Sequence, residues 1–211
     1  MAAPDTSTPH SSSLGSMATT PLLRMTALML LIAACATPTP TTSDPRHAPR
    51  LPTEPGLRNV ARVSPTLYRG GQPTAEGYQK LKAMGVRTII NLRRFHSSRD
   101  AAEAAGLNYV AIPLHASLGS TPPNEDEVRR FFETVLDPDQ QPVYVHCKRG
   151  ADRTGVMSAL YRIECEGWSP EDAIDEMQAF GYADIFVDLI AFVRRYQPRG
   201  FDEPRPTSRP G

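Results

Sequence analysis

The sequence predicts an α/β domain with a mostly parallel central sheet flanked by helices. Segments rich in β-branched residues alternate along the chain with amphipathic segments of helical period, a pattern typical of parallel sheets that are covered on both faces. The 21 prolines lie mostly before Pro73 or after Gln197, which predicts one folded core between two extended flanks.

The strands of the core are marked by short apolar runs between turn residues. Gly70 and Gly71 indicate a turn after the first run, and β-branched residues dominate the second, Val86-Arg-Thr-Ile-Ile-Asn-Leu92. The last run begins at Pro142 and leads into a glycine-containing loop. In chain order, the predicted strands cover residues 67–69, 86–92, 108–112 and 142–146.

The helices are marked by capping residues at their starts, and several of them end at a glycine. Thr74 can cap the first helix, and Asn124 with Glu127 forms a start that resembles a capping box. Ser169 and Pro170 supply a cap and a proline at the first helical position. In chain order, the predicted helices cover residues 74–84, 98–105, 124–135, 154–166, 169–180 and 185–196.

The composition argues against several classes of partner. The 23 basic and 23 acidic residues balance, so there is no general attraction to nucleic acid or to an anionic membrane surface. The three cysteines, Cys35, Cys147 and Cys165, have no CxxC spacing and do not cluster with histidine, so neither a disulfide framework nor a metal site is expected. No cofactor is predicted, and the domain is expected to be a monomer.

Residues 1–34 are predicted to be a signal peptide, with Met17 a more natural start than Met1. A positive charge at Arg24 precedes an apolar run that is too short to span a bilayer. Ile32-Ala33-Ala34-Cys35 resembles the lipobox of bacterial lipoproteins, which implies that Cys35 is lipidated and becomes the mature N-terminus. The alternatives are a plain secretory signal that is cut elsewhere and a fortuitous apolar stretch.

The remaining flanks are predicted to be extended. Residues 35–56 combine the lipidated cysteine with a Pro/Thr-rich tether, residues 57–197 form the folded domain, and residues 198–211 form a disordered tail. We therefore expect an exported protein that is lipid-anchored to the bacterial envelope through this N-terminal anchor. Ala36 stands where an aspartate would imply retention in the inner membrane, which favours the outer membrane or the periplasmic face.

The most informative stretch is His146-Cys147-Lys148-Arg149-Gly150-Ala151-Asp152-Arg153-Thr154-Gly155. It runs from a predicted strand into a predicted helix, so backbone N–H groups at the helix start converge on one spot, which suits an anion. A thiol at that spot has a lowered pKa and becomes a nucleophile. Since ligands of parallel sheets bind at the carboxyl ends of the strands, the stretch predicts a phosphate-cradling loop with a cysteine nucleophile.

This stretch resembles the signature loop of the cysteine-dependent protein tyrosine phosphatase superfamily, and it is most similar to the atypical dual-specificity phosphatase branch. The resemblance covers about residues 57–197. It implies a dual-specificity phosphatase-like fold and the hydrolysis of phosphomonoesters on proteins, phosphoinositides or inositol phosphates through a phosphocysteine intermediate, without a metal. The segments that carry it outside the loop are Leu67-Tyr-Arg-Gly-Gly-Gln-Pro73, Ile89-Ile-Asn-Leu-Arg93 and Gly167-Trp-Ser-Pro-Glu-Asp-Ala173.

The resemblance also implies a role for each residue of the loop. Cys147 attacks phosphorus as a thiolate, and Arg153 holds the dianion with a bidentate fork and stabilises the transition state. His146 orients the loop and helps to keep the thiol ionised, and Thr154 offers a hydroxyl near the sulfur that assists hydrolysis of the intermediate. The phosphate-binding amides belong to Lys148, Arg149, Gly150, Ala151, Asp152 and Arg153.

The sequence offers more than one candidate for the general acid. Many members of the superfamily use an aspartate on a mobile loop before the cysteine, but Pro113 to Pro122 contains no carboxylate. Asp152 resembles the proposed acid of the Cys-x-x-Gly-x-Asp-Arg loops in myotubularin-like and some secreted bacterial phosphatases, and it is the first candidate. A structural hydrogen bond that braces the loop is the alternative role for Asp152. The other candidates are His115 and the acidic residues Glu125, Asp126 and Glu127, which also suit the first turn of a helix.

Other functions are compatible with a cysteine loop. One is a catalytically weak phosphate-binding module, but inactive members of the superfamily typically lack the cysteine or the arginine, and both are present here. Another is a rhodanese-like sulfur transferase or an arsenate reductase. Four basic residues near the loop are compatible either with a multiply charged ligand or with simple solvent exposure: Arg93, Arg94, Lys148 and Arg149.

Overall fold

A computed structural model describes residues 44–115 and 121–201, in which five strands form one sheet with helices on both faces. The strands are β1 (Ala61–Ser64), β2 (Leu67–Gly71), β3 (Thr88–Arg93), β4 (Asn108–Leu114) and β5 (Val143–Cys147). The helices are α1 (Ala75–Ala83), α2 (Arg99–Ala104), α3 (Glu125–Val135), α4 (Asp152–Glu166), α5 (Pro170–Ala179) and α6 (Val187–Arg195).

The strand order in the sheet is β1-β2-β5-β3-β4. Every neighbouring pair is parallel except β1 and β2, which are antiparallel, so the predicted mostly parallel sheet is confirmed. The strand β1 was not predicted. It contains a single β-branched residue, Val63, and its pairing with β2 is a contact that a four-residue segment does not signal by itself.

Alternate residues of β5 enter two separate apolar cores, because successive side chains of a strand point to opposite faces of the sheet. Val143, Val145 and Cys147 join the larger core, to which α3, α4, α5 and α6 contribute. Tyr144 joins the smaller core, to which α1 and α2 contribute. The side chain of Cys147 therefore lies on the face of the sheet that α4 covers.

Residues on both sides of the predicted domain boundaries pack against the domain. Ala48 is buried, and its N–H donates to Oε1 of Glu176 at 2.7 Å. At the other end, the N–H groups of Arg199 and Phe201 donate to the buried carboxylate of Glu164. The contacts hold parts of the predicted tether and the predicted tail against the helices.

Several sequence predictions lie outside the described residues. They are the signal peptide, the lipidation of Cys35, most of the tether, and the tail from residue 202 onward. Of the helices in residues 44–115 and 121–201, none combines the length and the apolar character needed to cross a bilayer.

Candidate active site

The predicted phosphate-cradling loop follows β5, the central strand, and therefore lies at the middle of the carboxyl edge of the sheet. Gly71 of β2 is registered directly beside Cys147. Gly150 has a φ of +78°, and a Cβ at this position would lie 2.4 Å from the carbonyl carbon of Gly70. Glycine is required here because the loop turns against the backbone of β2 without room for a side chain.

The Cys147 thiol is buried, with 1% of the residue exposed. Burial alone would raise the pKa of this thiol. Hydrogen bonds from the side chain and the N–H of Thr154, the charge of Arg153 and the N–H of Gly150 outweigh burial and lower the pKa below its ordinary value. The geometry thus gives Cys147 the ionisation that a nucleophile needs.

His146 is completely buried on the opposite face of β5 from Cys147. Burial lowers the pKa of its imidazole to about 3, and the charges of Arg93 and Arg153 act in the same direction. The neutral ring lies with Nδ1 3.3 Å from the carbonyl oxygen of Cys147, so in this network Nδ1–H is assigned as the donor. His146 therefore acts on the loop through a hydrogen bond, and no positive charge of its own favours the thiolate at neutral pH.

Arg153 extends from the first turn of α4 across the ends of β3 and β4. Its Nη1 donates to the carbonyl oxygens of Leu92 at 3.3 Å and Leu114 at 3.5 Å. The side chain borders an open pocket of about 260 Å³ that contains no carboxylate in its described lining. The residues that line it are Arg93, Arg94, Phe95, His96, Leu114, His115 and Arg153.

The pocket is strongly cationic. Arg93 and Arg153 both line it, and burial together with the charge of Arg153 lowers the pKa of Arg93. Arg94 stacks over the ring of Phe95, 5.0 Å from its centroid, and its Nη1 lies 2.7 Å from Nδ1 of His115. Repulsion among these groups is relieved when an anion binds.

Two basic residues of the loop differ in their contacts. Lys148 is exposed. Arg149 forms an ion pair with Asp152, in which its Nη2 donates to both carboxylate oxygens at 2.9 and 2.8 Å. The N–H of Ala183, between α5 and α6, also donates to Asp152 at 3.0 Å. Asp152 therefore joins the loop to the segment that precedes α6.

The other candidates for the general acid have different surroundings. Glu127 closes the capping box of α3, since its Oε2 accepts from the N–H of Asn124 at 2.8 Å. Asp126 forms an exposed ion pair with Arg129, and Glu125 is exposed in the same turn. His115 lines the pocket beside Arg153. Of these four residues, His115 is the one that lines the same pocket as Arg153.

Two residues at the site were not singled out in the sequence. The side chains of Asn59 and Arg69 both donate to the carbonyl oxygen of Gly150 at 3.1 Å. Arg69 offered a signal that could have been used. It lies in a predicted strand of a sheet that is covered on both faces, where an arginine is unusual. Asn59 offered none, since it lies in a short irregular segment before β1.

The fold and the loop together define a cysteine-dependent phosphatase. A family model described as DSP-PTPase phosphatase fused to NAD+ kinase matches residues 57–185. The chain belongs to this dual-specificity phosphatase family.

Individual relatives agree with this assignment. The dual specificity protein phosphatase TpbA of Pseudomonas aeruginosa (strain UCBPP-PA14) is 34% identical over 155 residues, which are 70% of this chain and 68% of the relative. Inositol diphosphatase DSP2 of Oryza sativa subsp. japonica is 28% identical over 129 residues, which are 59% of this chain and 63% of that protein.

Solved structures show the same fold. The crystal structure of P. aeruginosa TpbA superposes with a TM-score of 0.63 at 30% identity and covers 76% of this chain and 97% of its own. The core catalytic domain of the PP-IP phosphatase SIW14 from S. cerevisiae superposes with a TM-score of 0.60 at 20% identity and covers 69% of this chain and 89% of its own. The predicted dual-specificity phosphatase-like fold is therefore confirmed.

The role of Asp152 can be tested through the leaving group of the substrate. If Asp152 protonates the departing oxygen, Asp152→Asn lowers kcat by roughly a hundredfold for alkyl phosphates and far less for activated aryl phosphates, because a good leaving group needs no acid. His115→Gln and Glu125→Gln are the matched variants, and they should show no such dependence. An equal loss for all leaving groups would contradict the acid role and would point to the contacts with Arg149 and Ala183.

Proposed function

We propose that this phosphatase hydrolyses phosphomonoesters by means of Cys147 as nucleophile and Arg153 as the phosphate-binding guanidinium. The observation that carries the proposal is a buried thiol between β5 and α4 that is surrounded by donors, namely Thr154, the N–H of Gly150 and the charge of Arg153, which together lower its pKa. A thiol that is buried for packing alone would have a raised pKa. The charge of Arg153, which also lines the cationic pocket, acts on the same thiol.

The chemistry takes place in two steps that share one set of groups. The sulfur of Cys147 attacks phosphorus in line with the ester oxygen, the P–O bond breaks, and the departing oxygen takes a proton from the general acid. Loop amides and Arg153 bind the three non-bridging oxygens as the charge redistributes. Water then attacks the phosphocysteine and gives a proton back to the general acid. The S–P bond breaks, inorganic phosphate leaves, and the Thr154 hydroxyl stabilises the thiolate that is restored.

This mechanism is tested with para-nitrophenyl phosphate. Cys147→Ser and Arg153→Ala should each lower kcat/KM by roughly a hundredfold or more, because one removes the nucleophile and the other removes the cation that stabilises the transition state. Cys165→Ser and Arg87→Ala change the same residue types outside the site and serve as controls. Retained turnover in either site variant, or a faster turnover of thiosulfate or arsenate than of phosphate esters by the wild type, would refute the proposal.

We further propose that the preferred substrates carry a second anionic group beside the phosphate that is hydrolysed. The described lining of the pocket next to Arg153 includes Arg93, Arg94 and two histidines and contains no carboxylate to neutralise them. A second phosphate is the group that such a set of donors binds well. A crystal structure of P. aeruginosa TpbA holds phosphotyrosine and a rice relative is named an inositol diphosphatase, so both protein and inositol substrates deserve testing.

The proposed second anionic group is tested by comparing substrates that have it with substrates that lack it. Arg94→Gln should raise KM for a bisphosphorylated substrate about fivefold relative to para-nitrophenyl phosphate, because it removes one exposed guanidinium contact. Arg99→Gln, an exposed arginine of α2 that pairs with Glu103, is the control. Water-soluble inositol polyphosphates, phosphoinositide vesicles and phosphotyrosine peptides separate the sources of the phosphate. Equal effects of Arg94→Gln on KM for all substrates would exclude a second anion at this residue.

We also propose that the enzyme is exported and is held at the bacterial envelope as a monomer by a lipid on Cys35. The support is the apolar run that ends at Ala33-Ala34-Cys35 and the proline-rich segment that separates this cysteine from the domain. An enzyme on such a tether would meet its substrates outside the cytoplasm.

Fractionation of cells that express the full chain tests the anchor. The wild type should sediment with membranes, whereas Cys35→Ala should appear in the soluble envelope fraction or remain unprocessed, because the acceptor of the lipid is missing. Cys165→Ala should behave like the wild type. A Cys35→Ala protein that still sediments with membranes at the processed mass would contradict lipidation at this residue.

A further inference from the structure

The phosphate-cradling loop has an outer side, where its backbone carbonyls meet donors from other parts of the chain. The carbonyl oxygen of Lys148 accepts from the N–H of Gln72 at 3.3 Å. The carbonyl oxygen of Arg149 accepts from Nδ2 of Asn59 at 3.4 Å. The carbonyl oxygen of Gly150 accepts from both Asn59 and Arg69, each at 3.1 Å. The carbonyl oxygens of three successive peptide groups therefore accept hydrogen bonds on the outer side of the loop.

The planar trans peptide makes this outer contact relevant to the phosphate. In such a peptide the carbonyl of one residue and the N–H of the next point in opposite directions. Holding the carbonyl oxygens of Arg149 and Gly150 outward consequently turns the N–H groups of Gly150 and Ala151 toward the inner side of the loop. The N–H of Gly150 is one of the groups that stabilise the Cys147 thiolate.

Arg69 lies completely buried under the loop. Its guanidinium stacks on Phe180, 4.0 Å from the ring centroid, and its Nη1 lies 3.9 Å from the carboxylate of Glu176. Nε and Nη1 form no hydrogen bond with any of the described residues, so the bond from Nη2 to Gly150 is the directed contact of this group. Burial lowers the pKa of Arg69 to about 10, and the group is still cationic at neutral pH. A buried cation with unused donors costs stability, which calls for a role beyond packing.

Asn59 adopts a backbone conformation that residues other than glycine rarely adopt. Its φ is +51°, and it is the single residue other than glycine with a positive φ in the described part of the chain. Oδ1 of Asn59 accepts from Arg50, which orients the amide so that Nδ2 faces the loop. Nδ2 then donates to the carbonyl oxygens of Gly150 and of Phe180, each at 3.1 Å. Strained conformations of this kind concentrate at functional sites.

We propose that Asn59 and Arg69 are a pair of positioning residues that aim the loop amides at the phosphate by holding the carbonyl oxygens of Arg149 and Gly150. The inference rests on the proposed function, because it gives the pair a purpose in binding the substrate phosphate. Both residues bond the outer side of the loop. The buried charge of Arg69 also interacts electrostatically with Cys147, and Arg69→Lys keeps that charge. The two residues belong to the chain before and within β2, far in sequence from the loop that they orient.

The decisive variant is Asn59→Gly, which keeps the left-handed backbone and removes the amide donor. The affinity for orthovanadate, measured by calorimetry, should fall about tenfold, which is the effect of losing one or two oriented hydrogen bonds. The pKa of Cys147 should rise, since its thiolate loses an aligned N–H. Alkylation by iodoacetamide, followed at the Cys147 peptide by mass spectrometry, should therefore reach half its maximal rate at a higher pH. The acid limb of kcat/KM should move to higher pH by the same amount.

Arg69→Lys supplies the second test, because it keeps the charge and loses the planar fork. It should weaken vanadate binding in the same way. The affinity of the double variant for vanadate should be little lower than that of either single variant, since both residues hold the carbonyl oxygen of Gly150. Asn108→Ala and Arg87→Lys change exposed residues of the same types and should leave vanadate affinity and the alkylation midpoint unchanged.

Melting temperature distinguishes positioning from stability alone. A lower melting temperature for Asn59→Gly and Arg69→Lys with unchanged vanadate affinity and unchanged alkylation midpoint would overturn the proposal. Vanadate affinity and the alkylation midpoint can both be measured without turnover of a substrate. If the wild type hydrolyses no phosphate ester, the proposed function fails, while vanadate binding and thiol alkylation still decide whether the pair orients the loop.

Discussion

A negative charge on a buried sulfur is the constraint on which the rest of this structure depends. Burial disfavours the thiolate of Cys147, and the chain compensates with the hydroxyl and N–H of Thr154, the charge of Arg153 and the N–H of Gly150. All of these donors come from one loop and the helix turn after it. The same directed N–H groups that stabilise the sulfur also suit the oxygens of a phosphate, so ionisation of the nucleophile and binding of the substrate have one physical origin.

The loop is held in shape by parts of the chain that carry no catalytic chemistry. His146 is neutral and bonds the backbone beside the nucleophile, while Asn59 and Arg69 hold the loop from outside. Arg69 in turn lies near Glu176, whose carboxylate accepts from Arg162 at 2.7 Å and from the N–H of Ala48 at 2.7 Å. A single buried carboxylate thus connects the predicted tether at Ala48, the helices α4 and α5 and, through Arg69, the loop.

Much of the fold could be predicted from the sequence because its signals are local. The capping box at Asn124 and the glycine that ends α4 at Gly167 act within one turn of a helix, and both are present in the structure. The strand β1 was missed because its four residues pair with β2 through a contact that composition does not encode. The same limit applies to Asn59, whose importance depends on residues about ninety positions away.

The sequence by itself determined the class of chemistry, because a cysteine, a glycine and an arginine at this spacing between a strand and a helix already specify an anion-binding loop with a nucleophile. Only the tertiary structure decided which groups support that loop. The ion pair of Asp152 with Arg149, its bond from the N–H of Ala183, and the contacts of Asn59 and Arg69 with Gly150 all join segments that are brought together by folding. Local spacing encodes the reactive groups, whereas their orientation is a property of long-range packing.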